Sequence, residues 1–298
     1  MITKESVNNM REPGFSVDDV CVVVCARNAE GTIERVVRGA RAAGVAEVLV
    51  VDGSSKDKTV QISKALGARV CVDEGKGLGL ARNIGARENL QPLTLFVGPD
   101  NVIDRDLVQA MLDDLNSIAG VVACGCLTRS ERSNYLGRAL TAMLQSLVRP
   151  GFSRVLGTPT LIGTELLLEH PYSSSRRFSD DSELFERIGR LTDARFWVSS
   201  VEVSEIGTAS LAAILARWEM YGVSDYENFT GGKTSGWSAR RMLQSILYPA
   251  RRQLGQTLRV WGWRRWILFL PAFLLMTSTR YFGWLKEVRR HSKRPPKS

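Results

Sequence analysis

Short apolar runs alternate with segments of helical periodicity from Val20 to Cys126, and this alternation constrains the fold more than any other feature. The runs Cys21–Cys25 and Val48–Val51 consist almost entirely of Val, Leu and Cys, as in strands that are covered on both faces. The three later runs are Ala68–Val72, Leu93–Val97 and Val121–Cys126. Each helical segment between the first four runs ends in or near Gly or Asn, which commonly end helices. The alternation predicts right-handed βαβ units and therefore an α/β fold with a mostly parallel sheet flanked by helices.

The length of 298 residues accommodates one large α/β domain with an appendage. Apolar residues make up 44% and charged residues 24%, which excludes collagen-like, low-complexity and fully membrane-embedded classes. The five cysteines form no C-x-x-C pair, so we expect buried free thiols in a reducing compartment. Because the first 20 residues lack an apolar stretch of signal-peptide length, we expect the bulk of the protein in the cytoplasm.

The net charge of +9 is unevenly distributed along the chain. From Thr230 onward there are 15 Lys and Arg against Glu287 alone, whereas the rest of the chain has 25 basic and 30 acidic residues. The sequence therefore predicts a polar lead over residues 1–19, a mildly acidic α/β domain over 20–229 and a basic helical tail over 230–298.

Three further helices are predicted after the last apolar run. One covers about Asn134 to Val148, and one begins near Asp181 with Ser179 as its N-cap. The third consists of the segment TASLAAILARWEMYG and is predicted to end at Gly222.

Small, polar and charged residues follow each of the first four predicted strands. These segments are Ala26–Glu30, Asp52–Thr59, Glu74–Gly85 and Gly98–Asn101. Each one alone is compatible with a turn or a helix N-cap. In doubly wound sheets, however, ligands bind outside the carboxyl ends of the strands, so their succession predicts a binding site at this edge.

The motifs, taken in order, resemble those of the inverting nucleotide-sugar glycosyltransferases of family 2, which have the GT-A fold. They are Ala26–Glu30, VVDGSSKDKT, KGLGLARNIG, LFVGPDN, FSDDSELFERI and ARW, and they extend from about Val20 to Gly222. The resemblance implies transfer of a sugar, with inversion, from a UDP- or GDP-sugar to an acceptor. It also implies that residues 20–127 bind the nucleotide sugar and that residues 128–229 bind the acceptor.

The resemblance implies specific roles for five donor-binding residues. Asp52 would accept a hydrogen bond from the base N–H, with Asn28 and Glu30 lining the base and the ribose. Lys76 and Arg82 would supply positive charge to the two phosphates, next to glycines that let the backbone approach closely.

The family usually carries Asp-x-Asp after the fourth strand, where this chain has Gly98-Pro99-Asp100. Since the second Asp is the usual metal ligand, the resemblance implies that Asp100 binds Mg²⁺ or Mn²⁺. The absent first carboxylate leaves the donor sugar and the strength of metal binding open.

The resemblance implies that Asp181, with Asp180 second, is the general base that deprotonates an acceptor hydroxyl. The alternative is that both acids only stabilise the first turn of a helix. Arg217 and Trp218 resemble the end of a Q-x-x-R-W motif whose Gln position is Ile214, so synthesis of long polymers is not predicted. Arg217 is then expected near the diphosphate, and Trp218 either stacks on a sugar or packs internally.

Residues 266–285 of the tail contain one charge, Arg280, and tryptophans 261, 263, 266 and 284 lie at its ends. Two kinds of membrane-bound state fit this segment: a single span, or a hairpin or amphipathic helix that lies in the headgroup region of anionic lipid. The alternative is a buried core helix with a solvated basic end. We expect an enzyme at the cytoplasmic face of a membrane, acting on a polyprenyl phosphate, a lipid-linked glycan or another hydroxyl acceptor.

Two other classes of function are compatible with parts of the sequence. The pI near 9.6 suggests a nucleic-acid-binding protein, but the excess of acidic residues before Thr230 argues against nucleic acid as a partner. The absent acid at Gly98 suggests a nucleotide-binding scaffold without transferase activity.

Overall fold

The computed structural model describes residues 14–173, 180–206, 210–234, 236 and 238–292. The strands are β1 (Val20–Ala26), β2 (Glu47–Asp52), β3 (Arg69–Val72), β4 (Leu93–Val97), β5 (Asn101–Val102), β6 (Val121–Ser130), β7 (Gly151–Ser153), β8 (Thr160–Gly163) and β9 (Arg195–Glu205). The helices are α1 (Ile33–Ala42), α2 (Thr59–Ala65), α3 (Leu78–Glu88), α4 (Arg105–Ser117), α5 (Tyr135–Leu147), α6 (Thr164–Glu169), α7 (Asp180–Leu191), α8 (Leu211–Thr234), α9 (Ala239–Ala250) and α10 (Thr257–Ser292). A 3-10 turn precedes β1, and a π-helical segment, Arg251–Gln256, joins α9 to α10.

The chain forms two compact units. The first contains Met1–Arg129 and Arg149–Gly207, and the second contains Ser130–Val148 and Thr208–Ser298. The division predicted from charge placed α5 and α8 with the α/β domain, whereas in the structure both helices belong to the same unit as the tail.

The first unit contains a mixed sheet in the order β3-β2-β1-β4-β8-β6-β9-β5, with β7 paired to β9. The first four strands in this order are parallel, as predicted, whereas β8 is antiparallel to both β4 and β6. Helices flank the sheet, and the predicted α/β class is confirmed. The carboxyl ends of β1 to β4 therefore meet at one edge.

Both faces of the parallel part of the sheet are buried, because alternate residues of β1 enter different cores. Val22 and Val24 pack in a cluster with residues of α1 and α4, whereas Val23 packs with residues of α3 and α7. Gly85 of α3 lies so close to this second face that a Cβ at its position would overlap Cγ1 of Val23. The helix that carries the KGLGLARNIG motif is thereby packed tightly against the sheet.

The helices of the second unit enclose a separate core that includes Leu140, Met143, Trp218, Phe273 and Met276. The prediction that a helix ends at Gly222 is wrong, because α8 continues to Thr234. The physical role of Gly222 is to let two helices pack closely. A Cβ at Gly222 would overlap the carbonyl oxygen of Arg280 on α10, and a Cβ at Gly283 would overlap that of Glu219 on α8.

The apolar segment 266–285 lies within α10 and contributes one face to this core. Its single charge, Arg280, forms a bidentate ion pair with Asp225, with distances of 2.5 and 2.8 Å from Nε and Nη2 to the carboxylate oxygens. The single-span alternative is not supported, since no helix in the described part of the chain is both long and apolar enough to cross a membrane.

Candidate active site

The loops that follow β1 and β2 are fastened to each other by hydrogen bonds. The Asn28 amide N–H donates to Ser55 Oγ at 2.8 Å, and Asn28 Oδ1 accepts from the Lys56 N–H at 2.9 Å. Likewise, Glu30 Oε2 accepts from the Lys58 N–H at 3.1 Å. Asn28 and Glu30, predicted to line the base and ribose, thus hold the loop that carries the DGSS motif, and their contact with a ligand stays a prediction.

Asp52, the last residue of β2, carries a buried acceptor without a partner. The residue is 3% exposed, and its Oδ2 accepts from the Ser55 N–H at 3.0 Å. Its Oδ1 is buried and has no hydrogen-bond partner among the described residues. An unsatisfied buried acceptor costs about 1–3 kcal/mol, so a ligand N–H that reached this oxygen would be bound favourably.

The segment after β3 combines a buried carboxylate with an exposed cation. Asp73 is buried, and its Oδ1 accepts from the Gly75 N–H at 2.7 Å. Glu74 and Gly75 both have left-handed backbone angles, with φ of 57° and 70°. Lys76 is exposed and pairs with Glu74, which raises the pKa of the lysine. Asp73 is a residue that motif analysis missed, and its position directly after a strand was the available signal.

Arg82 forms the centre of a buried ion-pair cluster, and its predicted contact with the phosphates stays a prediction. Its side chain is 6% exposed, and Nη1 lies 2.7 Å from Asp180 Oδ2 and 2.5 Å from Asp181 Oδ1. Nη2 donates to Thr158 Oγ1 at 2.7 Å, and the guanidinium lies 5.0 Å from the centre of the Tyr172 ring. The predicted base and the predicted phosphate ligand are therefore in direct contact.

Thr158 and Tyr172 are two members of this cluster that sequence reasoning did not identify. Tyr172 is buried and is clamped by Asn83, whose Oδ1 accepts from the Tyr172 N–H and whose Nδ2 donates to the Tyr172 carbonyl, both at 2.8 Å. Arg82 and Asn83 of the KGLGLARNIG motif thus both reach the same distant segment. No sequence spacing could reveal these contacts, which join residues more than 70 positions apart.

The cluster lies at the carboxyl end of β1. The Cys25 thiol, next to the last residue of that strand, interacts electrostatically with Arg82, Asp73, Asp180 and Asp181, and burial raises its pKa to about 12. The acid pair and Asp73 are therefore gathered at the edge of the sheet where the motifs predicted a site.

The environment of Asp181 disfavours the charged form of its carboxyl, and its role as general base stays a prediction. The pKa of the Asp181 carboxyl is raised to about 6, mainly by burial. The positive charge of Arg82 lowers this pKa, and the negative charge of Asp180 raises it. A base is most effective when its pKa lies near the working pH. Both acids also begin α7, where the helix dipole favours negative charge. The predicted N-cap Ser179 lies outside the described residues.

In the turn between β4 and β5, two side-chain oxygens lie close to the position of the missing carboxylate. Asn101 Oδ1 accepts from the Gly98 N–H at 3.0 Å. A Cβ at position 98 would lie 2.7 Å from Asn101 Oδ1 and 2.8 Å from Asp100 Oδ1. The side-chain oxygens of the next residues therefore occupy the space that the first Asp of Asp-x-Asp would need.

Asp100 fits a divalent metal whose coordination shell is completed by water and substrate phosphates. In the described ranges, no group of three or more His, Cys, Asp or Glu side chains could hold a metal ion. Mg²⁺ commonly uses one or two carboxylates and completes its shell with substrate phosphates and water. A single carboxylate at a predicted diphosphate site is compatible with that arrangement.

Arg217 and Trp218 lie on α8, in the second unit. Trp218 is fully buried in the core of that unit, with its ring 5.5 Å from that of Tyr221, so it has no surface on which a sugar could stack. Of the two alternatives for Trp218, the structure shows packing. Arg217 is partly buried, and its predicted contact with the diphosphate stays a prediction.

Two curated proteins of Haloferax volcanii are similar to parts of the chain. Glycosyltransferase AglJ is 34% identical over 99 residues, which are 33% of this chain and 33% of that protein. A dolichyl-phosphate hexose transferase is 29% identical over 140 residues, which are 45% of this chain and 61% of that protein. The chain thus spans about a third of the length of the first relative and about three fifths of the length of the second.

Among solved structures, a glucosyl-3-phosphoglycerate synthase from Mycobacterium tuberculosis in complex with Mn²⁺, UDP and glucosyl-3-phosphoglycerate is similar to this chain. It has a TM-score of 0.46 and 20% identity, and the match covers 65% of this chain and 76% of that one. The model of the family described as glycosyl transferase family 2 matches residues 21–186, which are more than half of the chain. The protein therefore belongs to glycosyltransferase family 2.

Proposed function

We propose that this enzyme transfers a hexose, with inversion, from a UDP- or GDP-sugar to a polyprenyl phosphate at the cytoplasmic face of a membrane. The observation that carries the proposal is the buried cluster of Arg82, Asp180 and Asp181, at the same sheet edge as the unpartnered acceptor of Asp52. The choice of acceptor is supported by the similarity to a dolichyl-phosphate hexose transferase.

The donor is held by groups with complementary chemistry. Asp52 Oδ1 accepts the N–H of the base, which removes the penalty of its unpaired burial. Lys76 is exposed on the segment after β3 and can leave Glu74 to meet the diphosphate. Mg²⁺ or Mn²⁺, bound by Asp100 together with the phosphates, would supply positive charge to the leaving group.

The role of Asp181 depends on the acceptor. In the reaction, an acceptor oxygen forms a bond to the anomeric carbon, and the bond from that carbon to the nucleoside diphosphate breaks. A hydroxyl acceptor must also lose a proton, which Asp181 accepts. A phosphate acceptor is already ionised, and Asp181 and Asp180 then serve mainly to hold Arg82 near the reacting groups.

The cytoplasmic location is supported by the cysteines, all five of which are free thiols. Disulfides are rare in reducing compartments, and free thiols are the usual state of cysteines there.

Thermal stabilisation by ligands tests the donor site first. UDP- and GDP-hexoses are screened with Mn²⁺, since a bound ligand raises the melting temperature by mass action. The stabilising donor should transfer its sugar to a short-chain polyprenyl phosphate. The Asp52→Asn variant should lose the stabilisation, whereas Asp18→Asn, an exposed change before β1, should keep it.

Failure of every nucleotide sugar to stabilise the protein, or of the stabilising donor to be transferred or hydrolysed, would refute the proposed function. Slow donor hydrolysis with Mn²⁺ that is lost in Asp100→Ala would exclude the alternative of a nucleotide-binding scaffold. Salt-sensitive oligonucleotide binding without any nucleotide-sugar binding would support the nucleic-acid alternative.

A further inference from the structure

We propose that the outer face of α10, together with its basic flanks, binds the surface of an anionic lipid bilayer. The helix is apolar on two opposite faces. Ala272, Phe273 and Met276 point into the core of the second unit, whereas Ile267 and Phe282 are 55% and 57% exposed. A helix at the surface of a globular protein ordinarily carries polar residues on its outer face.

The exposed apolar side chains form a stripe along α10, spaced mainly three, four or seven residues apart. They are Trp263, Ile267, Leu268, Leu274, Leu275, Phe282 and Leu285. At 1.5 Å per residue, a stripe from 263 to 285 is about 33 Å long. It follows one face of the helix and is unusually apolar for a surface that faces water.

The charges in the sequence around this stripe are almost all positive. Residues 239–292 contain 11 Lys and Arg and a single acidic residue, Glu287. Arg259, Arg264 and Arg265 surround Trp263 at one end of the stripe and are exposed. Arg289 and Arg290 lie beyond the other end. An apolar face with positive charge at both ends is complementary to anionic headgroups above an acyl layer.

Trp263 is positioned as an interfacial anchor. It is 66% exposed and directly follows Gly262, where φ of 69° kinks the helix. Two of the other predicted anchors have internal roles. The Trp261 indole N–H donates to the Ala142 carbonyl at 3.0 Å, and that of Trp266 donates to Thr257 Oγ1 at 3.0 Å. Of the predicted interfacial helix, only the exposed face of α10 can contact lipid, with Trp263 at the basic end of that face.

The bilayer surface deepens the proposed function, since a polyprenyl phosphate is presented at such a surface. Vesicle binding needs neither donor nor acceptor, however, so it can fail or succeed independently of sugar transfer. Sugar transfer to a water-soluble short-chain acceptor, measured in parallel, distinguishes a failure of vesicle binding from a failure of the proposed transferase activity.

The experiment is co-sedimentation of the full chain with vesicles of phosphatidylcholine containing 30% phosphatidylglycerol, and with vesicles of phosphatidylcholine alone. Binding is expected to the anionic vesicles and to weaken with salt. Each basic residue near an anionic surface contributes roughly fivefold, so the triple variant Arg259→Gln, Arg264→Gln, Arg265→Gln should bind on the order of a hundredfold more weakly. The double variant Trp263→Ser, Ile267→Ser should also lose binding, with a melting temperature close to wild type because both side chains are exposed.

Matched controls come from exposed positions of the first unit. The variants Arg38→Gln and Leu90→Ser remove an exposed cation and an exposed apolar side chain there, and both should bind vesicles as the wild type does. The proposal is overturned if the full chain stays in the supernatant with anionic vesicles, or if the α10 variants bind as tightly as the controls. Dimerisation that the Trp263→Ser, Ile267→Ser variant abolishes, without vesicle binding, would identify a second copy as the occupant and also overturn it.

Discussion

Arg82 Nη1 lies 2.5 Å from Asp181 Oδ1, and the same nitrogen lies 2.7 Å from Asp180 Oδ2. One buried guanidinium on α3 thus joins both acids at the start of α7. The contact links the motif predicted to bind phosphate with the motif predicted to supply the base, so neither is expected to act alone.

Replacement of Asp181 distinguishes the two classes of acceptor. The variant Asp181→Asn should retain nucleotide-sugar binding and should lose about 10²–10⁴-fold in kcat for a hydroxyl acceptor, the usual contribution of a general base. With a polyprenyl phosphate it should lose much less, because that nucleophile is already ionised. Steady-state kinetics with both acceptors measures the difference. Unchanged transfer to a hydroxyl acceptor would contradict the assignment of the base.

Loss of the Arg82 charge should destabilise the protein strongly. The variant Arg82→Met leaves the buried Asp180 and the neighbouring Asp181 without their cation, and breaking a buried pair from one side costs about 3–5 kcal/mol in the free energy of unfolding. The control Arg38→Met removes an exposed pair with Glu34 and should cost at most about 1 kcal/mol. Urea titrations of both variants make the comparison, and equal effects would show that the cluster contributes nothing special to stability.

The pH dependence of transfer should report the ionisation of Asp181. With its pKa raised to about 6, the carboxyl is protonated below that pH, so kcat for a hydroxyl acceptor should rise with pH and level off above about 6. The contribution of this carboxyl to the free energy of unfolding changes in the opposite direction and falls as the pH rises. Because the folded pKa exceeds the unfolded value, the carboxyl contributes stability below about pH 4 that is lost as pH rises through 6. Relative to Asp181→Asn, the wild type should lose stability over this window, and an unchanged difference would contradict the raised pKa.

Restoring the family's first acid at position 98 should not restore a stronger metal site. In Gly98→Asp, the new Cβ meets Asn101 Oδ1 and Asp100 Oδ1, so these side chains must move and Asn101 loses its hydrogen bond to the backbone N–H of residue 98, at a cost of about 1–3 kcal/mol in the free energy of unfolding. We expect weaker Mn²⁺ binding in the presence of UDP, measured by calorimetry, together with lower stability. The control Gly31→Ala, where a Cβ meets nothing within 4 Å, should be neutral. Tighter Mn²⁺ binding in Gly98→Asp would contradict the steric argument.

Two glycines of α8 should respond oppositely to the same substitution. Gly222→Ala forces α8 and α10 apart at the Arg280 carbonyl and should lower the free energy of unfolding by about 1–3 kcal/mol. Gly231→Ala adds a methyl group in open space and should raise it by up to about 1 kcal/mol through helix propensity. Thermal or urea unfolding measures both. If the two changes have effects of the same sign, the close helix crossing is not what Gly222 provides.

Elements of the first unit were predictable because their signals are local. The continuous apolar run of β1 and the periodic apolar positions of α1 reflect burial of short segments, and each pattern can be recognised within a dozen residues. The same holds for Asp52, which had to lie at the carboxyl end of a strand. The motifs also predicted that these residues gather at one edge of the sheet.

The pairing of those residues was not predictable in the same way. Arg82 and Asp181 are separated by 99 positions, and either one, taken alone, suits a phosphate or a helix N-terminus. Gly222 carried the local signal of a helix end, but its meaning depends on a carbonyl oxygen 58 residues further along. Trp218 and Trp263 have the same side chain and opposite environments, which only packing can distinguish.

The sequence by itself determined the α/β class, the family and the sheet edge at which the motif residues meet, since hydrophobic periodicity and motif order are written along the chain. Only the tertiary structure decided that Arg82 binds the acid pair, that a side chain at Gly98 would displace those of Asp100 and Asn101, and that the apolar tail has one buried and one exposed face. The physical reason is that ion pairing, steric exclusion and burial depend on distances between residues far apart in sequence, and folding alone brings those residues together.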